Sequence, residues 1–322
     1  MSAPPDEMDW IAALRPLTRG APAALGLMDD AAVLPSRRGW DLVITKDAMV
    51  EDVHFLAGEA ADIVARRLLR TNLSDLAAKG AEPCGYFLMT AWPAARSWDD
   101  RMAFIAGLAE DGERFDLSLL GGDTVATDGP LTVSATLLGW VPTGGAVLRS
   151  GAKAGDALVV IGTIGDGVLG WRAARGDLAD PTGALALHFR LPQPLLGMRA
   201  ALRAAASAAA DVSDGLLIDA LHVAEASGCG VSLALDLMPV SSAAGAWLTL
   251  QPDRRTALMS LASGGDDYAL VCATGDAEAL VAAATALGAP AAVVGGFTEA
   301  PGLTVSVDGL PVEPASLGWR HR

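Results

Sequence analysis

The sequence predicts an α+β protein of two domains: an N-terminal domain of mixed sheet and helices over residues 1–144, and a C-terminal α/β sandwich-like domain over residues 145–322. Three observations predict it. Apolar, β-branched runs alternate with segments of helical periodicity in both halves of the chain. The composition shifts at Pro142-Thr143-Gly144-Gly145, where turn formers interrupt the apolar pattern. At 322 residues the chain is long enough for each half to bury its own core.

Taken in order, Met8 to Leu17 suggests a short helix closed by Pro16, and Leu25 to Leu34 sets Asp29 and Asp30 between a glycine turn and a short apolar strand. Asp41 to Asp47 is β-branched and ends in charge, a strand that delivers Asp47 to its tip. A loop carrying His54 follows. Leu69, Leu73, Leu76 and Ala77 recur at helical spacing, the core stripe of a helix that ends at Gly80 before Pro83. Asn72, Asp75 and Lys79 form a second, polar stripe beside it. Tyr86 to Ala91 reads as a buried strand and Trp98 to Phe115 as a helix. Leu117 to Leu120 reads as a strand running into Gly121-Gly122-Asp123-Thr124, and Leu131 to Val141 as a further strand. Beyond the boundary a polar loop, Leu148 to Asp156, leads into the strand Ala157 to Gly162. Gly165-Asp166-Gly167 opens a helix, Asp211 and Asp214 precede another from Leu216 to Ser227, and Gly264 to Tyr268 precedes the strand Ala269 to Ala273.

The formal charge of −15 argues against nucleic acid as a partner, because phosphate backbones need a basic surface. It leaves room for a phosphorylated small molecule, since divalent metals turn acidic loops into phosphate sites. The three cysteines are far apart, lack metal-ligand spacing and read as thiols of a reducing compartment. Acidic residues and prolines stand where a signal peptide needs a basic start and an apolar run, and no apolar span reaches the ~20 residues of a membrane helix. The expectation is a cytoplasmic protein that binds neither membrane nor nucleic acid.

The informative pattern is aspartate in glycine-rich turns at the ends of apolar strands: Asp29, Asp30, Asp47, Asp75, Asp123, Asp211, Asp214 and Asp266. So many converging carboxylates repel unless cations hold them together. Oxygen ligands without a Cys or His cluster point to Mg2+, which shares its shell with nucleotide phosphates, so phosphoryl transfer is the natural reaction class. Each aspartate taken singly is equally well a helix cap or a turn residue. No Walker-type glycine loop and no protein-kinase catalytic loop occurs. Arg149 and Lys153 in the polar loop are phosphate partners or members of a solvated linker, and His54 is a substrate contact or a satisfied turn residue. Trp319 is a docking anchor or an indole face for an aromatic ligand.

Eight segments then carry a resemblance. Met28-Asp29-Asp30-Ala31-Ala32-Val33, Thr45-Lys46-Asp47, Val53-His54-Phe55, Asn72-Leu73-Ser74-Asp75-Leu76-Ala77, Gly121-Gly122-Asp123-Thr124, Arg149-Ser150-Gly151-Ala152, Asp211-Val212-Ser213-Asp214-Gly215 and Gly264-Gly265-Asp266-Asp267-Tyr268 occur in the order seen in the thiamine-monophosphate kinases, a family of the aminoimidazole ribonucleotide synthetase superfamily. The match runs from about Leu25 to Trp319.

The resemblance implies ATP-dependent phosphorylation of thiamine monophosphate to thiamine diphosphate, by direct in-line attack on the γ-phosphorus with several Mg2+ ions. It also implies a homodimer whose N-terminal domains pair their sheets into a barrel, and an N-terminal domain that binds ATP and metal while the C-terminal domain completes the nucleotide and substrate cleft. Carried over position by position, Asp30, Thr45, Lys46, Asp47, Asp75, Asp123, Asp211 and Asp214 are metal positions, with Asp75, Asp47 and Asp214 catalytic. Gly122, Asp123, Arg149 and Ser213 meet ATP, and His54, Asp266 and Trp319 meet thiamine monophosphate. Asn72 holds its neighbours in place, and Lys79 has no assigned role. Four departures stand out: Met28 and Asp52 where the family has glycine, Lys46 where it has threonine, and Asp266 where it has glutamate. The alternatives are another ATP-dependent enzyme of the same superfamily and a non-catalytic ATP- or thiamine-phosphate-binding regulator.

Overall fold

The computed structural model describes residues 6–319. The chain divides into two compact units: the first ends at Gly144 and the second begins at Gly145, except that Ala77–Gly80 cluster with the second. Each is an α+β unit built on a mixed sheet.

In the N-terminal unit the strands β1 (Trp40–Val50), β2 (Glu82–Pro93), β3 (Ser118–Thr127) and β4 (Thr132–Pro142) lie in the order β1-β4-β2-β3. β2 and β3 run parallel and the other neighbours antiparallel. The helices are α1 (Glu7–Leu14), α2 (Ala61–Ala78) and α3 (Trp98–Arg114). Alternation sends Tyr86, Leu88 and Trp92 of β2 to one face, where Trp92 meets Phe104 of α3 edge to face, with ring centroids 5.5 Å apart. The core stripe of α2, Leu69, Leu73, Leu76 and Ala77, is fully buried. α3 starts where Ser97 and Asp100 form a reciprocal capping box.

Three expectations change in this unit. The short strand expected after Asp29 and Asp30 does not form, and residues 31–36 run as irregular chain into β1. The strand expected over Asp41 to Asp47 runs to Val50, so Asp47 sits within β1 rather than at its tip. Gly121-Gly122-Asp123-Thr124 is not a turn but the middle of β3. Its glycines serve strand approach: a Cβ at Gly122 would stand 2.1 Å from the carbonyl oxygen of Leu88 on β2. Gly122→Ala is therefore expected to push β2 and β3 apart and to lower stability by about 3 kcal/mol. A denaturation midpoint equal to that of the unmodified protein would refute this reading of Gly122.

The C-terminal unit holds β5 (Ala157–Ile161), α4 (Asp166–Ala174), α5 (Ala184–Arg190), α6 (Arg199–Ala205), β6 (Ala208–Val212), α7 (Leu216–Ser227) and β7 (Gly230–Ala234). α8 (Ser242–Thr249), α9 (Arg254–Ala262), β8 (Ala269–Thr274), α10 (Ala277–Ala286), β9 (Ala291–Thr298), β10 (Gly302–Val307) and β11 (Leu310–Val312) follow. The seven strands run in the order β11-β10-β7-β9-β5-β8-β6, with only β10 and β7 parallel. Their near-continuous apolar runs are explained by burial on both faces. Leu158 and Val160 of β5, with Val271 of β8, join one core with Leu217 and Ala220 of α7 and Leu258 and Leu261 of α9. Val159 and Ile161, with Leu270 and Cys272, join a second core with Leu202 of α6 and Leu280 and Ala284 of α10. Helices thus cover the sheet on both sides, the layered α/β arrangement the sequence predicts.

Candidate active site

In the N-terminal unit, Thr45 and Asp47 alternate with Lys46 along β1, so they leave opposite faces of the sheet. On the α2 face the Thr45 hydroxyl donates to Asp75 Oδ2 at 2.5 Å. The Asp47 backbone N–H donates to Asn72 Oδ1 at 3.0 Å, while Asn72 Nδ2 donates to the Leu68 carbonyl at 2.8 Å. Asn72, fully buried, thus ties the backbone of β1 at Asp47 to α2. This is the holding role the polar stripe suggests for it. Lys79 clusters with the C-terminal unit, within which its ammonium donates to the Ala209 carbonyl at 2.7 Å.

On the other face Lys46 donates to Ser134 Oγ at 2.8 Å, and Ser134 Oγ donates to the Asp47 carbonyl at 2.8 Å. Lys46 lines a cavity of about 480 Å³ together with Asp29, Asp30, Gly122 and Asp123. Asp123 shares this face because it pairs with Met89 on β2, which in turn pairs with Ser134. The structure therefore separates two groups the sequence placed in one set: Thr45, Asp47 and Asp75 on one side, Asp30, Lys46 and Asp123 on the other. The physical reason is the two-residue period of a strand. His54 lies in the loop after β1, its Nδ1 accepting from the Val50 N–H at 3.1 Å. Asp52 beside it holds φ +65, a left-handed conformation.

In the C-terminal unit the segment Asp211–Gly215 joins β6 to α7. Asp211 is buried at the end of β6, whereas Ser213 and Asp214 are half-buried. Two other segments converge on it. The N–H groups of Asp266 and Tyr268 donate to the Ser213 and Val212 carbonyls at 2.8 and 2.8 Å, and the Trp319 N–H donates to the Asp214 carbonyl at 2.9 Å. Asp266 and Tyr268 are both left-handed (φ +66 and +51), and the Tyr268 hydroxyl donates to Asp266 Oδ1 at 2.9 Å. Trp319 is 58% exposed. Arg149 is exposed in the loop before β5, with its carbonyl accepting from Ser227 Oγ at 3.3 Å.

Sequence reasoning missed two buried carboxylates here. Asp219 accepts from three successive backbone N–H groups of the Asp211–Gly215 segment. Burial and the charge of Asp214 push its carboxyl up to about 7, against those hydrogen bonds and Arg149, which pull it down. Asp267 accepts from the N–H groups of Gly165 and Gly167 at 2.9 and 2.9 Å and so fixes the turn into α4. Burial holds its carboxyl well above the ordinary range. The signal for Asp219 was present: an acidic residue in the first turn of a helix that opens on glycine has orphan N–H groups within reach.

Apart from Lys46, whose side chain is an ammonium, the donors named for a metal are carboxylates and a hydroxyl, a set that fits a hard, oxygen-liganded divalent cation. Among the described residues, no group of three or more His, Cys, Asp or Glu side chains is gathered closely enough to hold a metal ion.

Comparison with known proteins accords with the layout. Residues 28–141 match the AIR synthase related protein N-terminal domain, and residues 153–308 match its C-terminal domain. A thiamine-monophosphate kinase of Caulobacter vibrioides is 58% identical over 99% of this chain and 92% of that protein. One from Escherichia coli is 36% identical over 92% of this chain and 90% of that protein. The crystal structure of thiamine-monophosphate kinase from Stenotrophomonas maltophilia superimposes with a TM-score of 0.81 at 35% identity, covering 94% of this chain and 96% of that one. With both domains matched and identity of this extent along nearly its whole length, the chain belongs to the AIR synthase related proteins and, among them, to the thiamine-monophosphate kinase family.

Proposed function

We propose that the chain transfers the γ-phosphoryl group of ATP to thiamine monophosphate, giving thiamine diphosphate and ADP. The observation that carries this reading is the 58% identity, over 99% of the chain, to a protein named for that activity. The chemistry of the residues supports it. Attacker and target are both anionic phosphates, and Mg2+, when bound, supplies the charge cancellation that lets them approach. Asp30, Thr45, Lys46, Asp47, Asp75, Asp123, Asp211 and Asp214 are the proposed metal positions. Lys46 serves in this set either through its backbone carbonyl or through its ammonium, on the face it shares with Asp123. Asp75, Asp47 and Asp214 orient the reacting phosphates. Gly122, Asp123, Arg149 and Ser213 hold ATP, Arg149 through its planar fork. His54, Asp266 and Trp319 hold thiamine monophosphate, the indole stacking on its aromatic ring and the Asp266 carboxylate facing its cationic one. The attacking phosphate oxygen already bears charge, so no protein base is assigned.

A homodimer belongs to the same proposal. Leu42, Ile44, Met89 and Val125 share the sheet face of Lys46 and are 38, 60, 36 and 44% exposed, an apolar surface of the kind that a second sheet covers. Light scattering during gel filtration is expected to give twice the chain mass of 32.8 kDa. No helix among the described residues is long and apolar enough to cross a membrane. The activity itself is tested by incubating the protein with ATP, Mg2+ and thiamine monophosphate and separating the products. Thiamine diphosphate and ADP in equal amounts are expected; no product at high protein concentration would sink the proposal.

A further inference from the structure

The Asp211–Gly215 segment is held from both sides of its backbone. On the amide side a single oxygen, Asp219 Oδ2, accepts from the N–H groups of Ser213, Asp214 and Gly215 at 3.1, 3.1 and 3.2 Å. Asp219 is 1% exposed and lies in α7, one turn beyond the segment it grips. Its second oxygen lies 3.8 Å from His222 Nδ1. On the carbonyl side the segment accepts from the N–H groups of Asp266 and Trp319. Both of those neighbours approach it through glycine: a Cβ at Gly265 would stand 2.5 Å from the Ser213 carbonyl oxygen, and one at Gly318 would stand 2.7 Å from that of Asp214. With no side chain between the three backbones, a shift of the central one passes directly to the outer two.

We infer that Asp219 is a positioning residue for thiamine monophosphate, setting Asp266 and Trp319 through the backbone segment that lies between it and them. This rests on the function proposed above, which assigns those two residues to that substrate. Asp219 acts at one remove. It orders three amides that otherwise compete for water, and their carbonyls then face outward in a fixed direction. The same segment carries Ser213 and Asp214, so one carboxylate aligns residues assigned to both substrates.

General stability and substrate positioning are separable, because unfolding lowers the concentration of active protein without changing the KM of the molecules that remain folded. The test uses the full chain with two substitutions. Asp219→Ala removes the acceptor; Asp219→Asn keeps an acceptor oxygen of the same reach while removing the charge. In Asp219→Ala, folded as judged by circular dichroism, the KM for thiamine monophosphate is expected to rise at least tenfold. Amide hydrogen exchange at Ser213, Asp214 and Gly215 is expected to accelerate by a similar factor. Asp219→Asn is expected to restore both to within about threefold of the unmodified protein. Unchanged KM and exchange in Asp219→Ala overturn the inference, as does a folded Asp219→Asn whose KM rises tenfold. Where Asp219→Ala fails to fold, Asp219→Asn alone decides by the same criterion. Absence of turnover in the unmodified protein instead removes the functional reading, and the exchange measurement still reports whether Asp219 holds the segment.

Discussion

Asp75→Asn is expected to reduce thiamine diphosphate formation by about a thousandfold while leaving the fold in place. The reasons are local. Asp75 is half-buried on α2 and accepts the Thr45 hydroxyl at 2.5 Å, so an amide of the same shape retains that hydrogen bond through its oxygen. The substitution removes the negative charge, the property that a metal-binding carboxylate contributes. It also adds an N–H donor where phosphate and cation are proposed to meet. The two readouts must therefore diverge: kcat falls, whereas the unfolding midpoint stays within about 0.5 kcal/mol of the original, as for substitutions that leave packing unchanged. Near-normal turnover would refute the role given to Asp75, and a large loss of stability would make it a structural residue.

Asp111→Ala is expected to have the opposite signature, a loss of about 3–5 kcal/mol in stability. Asp111 is fully buried and makes a two-pronged pair with Arg70, with Nε to Oδ2 at 2.6 Å and Nη2 to Oδ1 at 2.9 Å. Arg70 is itself 1% exposed, on α2 one turn before the end that carries Asp75. Deleting the carboxylate leaves a guanidinium charge buried with less compensation, which costs far more than the pair gains over apolar replacements. The control follows from the same physics. Replacing both partners, Arg70→Met with Asp111→Leu, is expected to recover most of the loss. A single variant with unchanged midpoint in urea would show that the pair is dispensable.

Much of the architecture was legible because strands and helices here announce themselves by periodicity. The helix from Leu216 to Ser227 agrees with its expected limits, and Trp98 to Phe115 and Ala269 to Ala273 each differ by a single residue. α2 was visible from its leucine stripe, and Asn72 from its place in the polar stripe beside it. Gly121-Gly122-Asp123-Thr124 misled, because glycines that permit close strand pairing are indistinguishable in sequence from glycines that turn the chain. The face occupied by Lys46 was readable from alternation, but only once β1 was known to continue through Asp47 without a break. Asp219 and Asp267 escaped notice for a different reason. Their partners are backbone amides, and Asp267 reaches back to Gly165 and Gly167 across a separation no spacing rule covers. Short strands such as β7, β10 and β11 carry too few residues for a pattern, and their pairing is fixed by the sheet they complete.

The central claim is that these aspartates act through divalent cations on a phosphoryl group passing between two phosphates. A magnesium titration of initial rate, with ATP and thiamine monophosphate both saturating, tests it most directly. The account predicts no thiamine diphosphate in excess EDTA, and a rate that keeps rising with Mg2+ after all ATP is present as its magnesium complex. Formation of thiamine diphosphate at full rate in EDTA would contradict it.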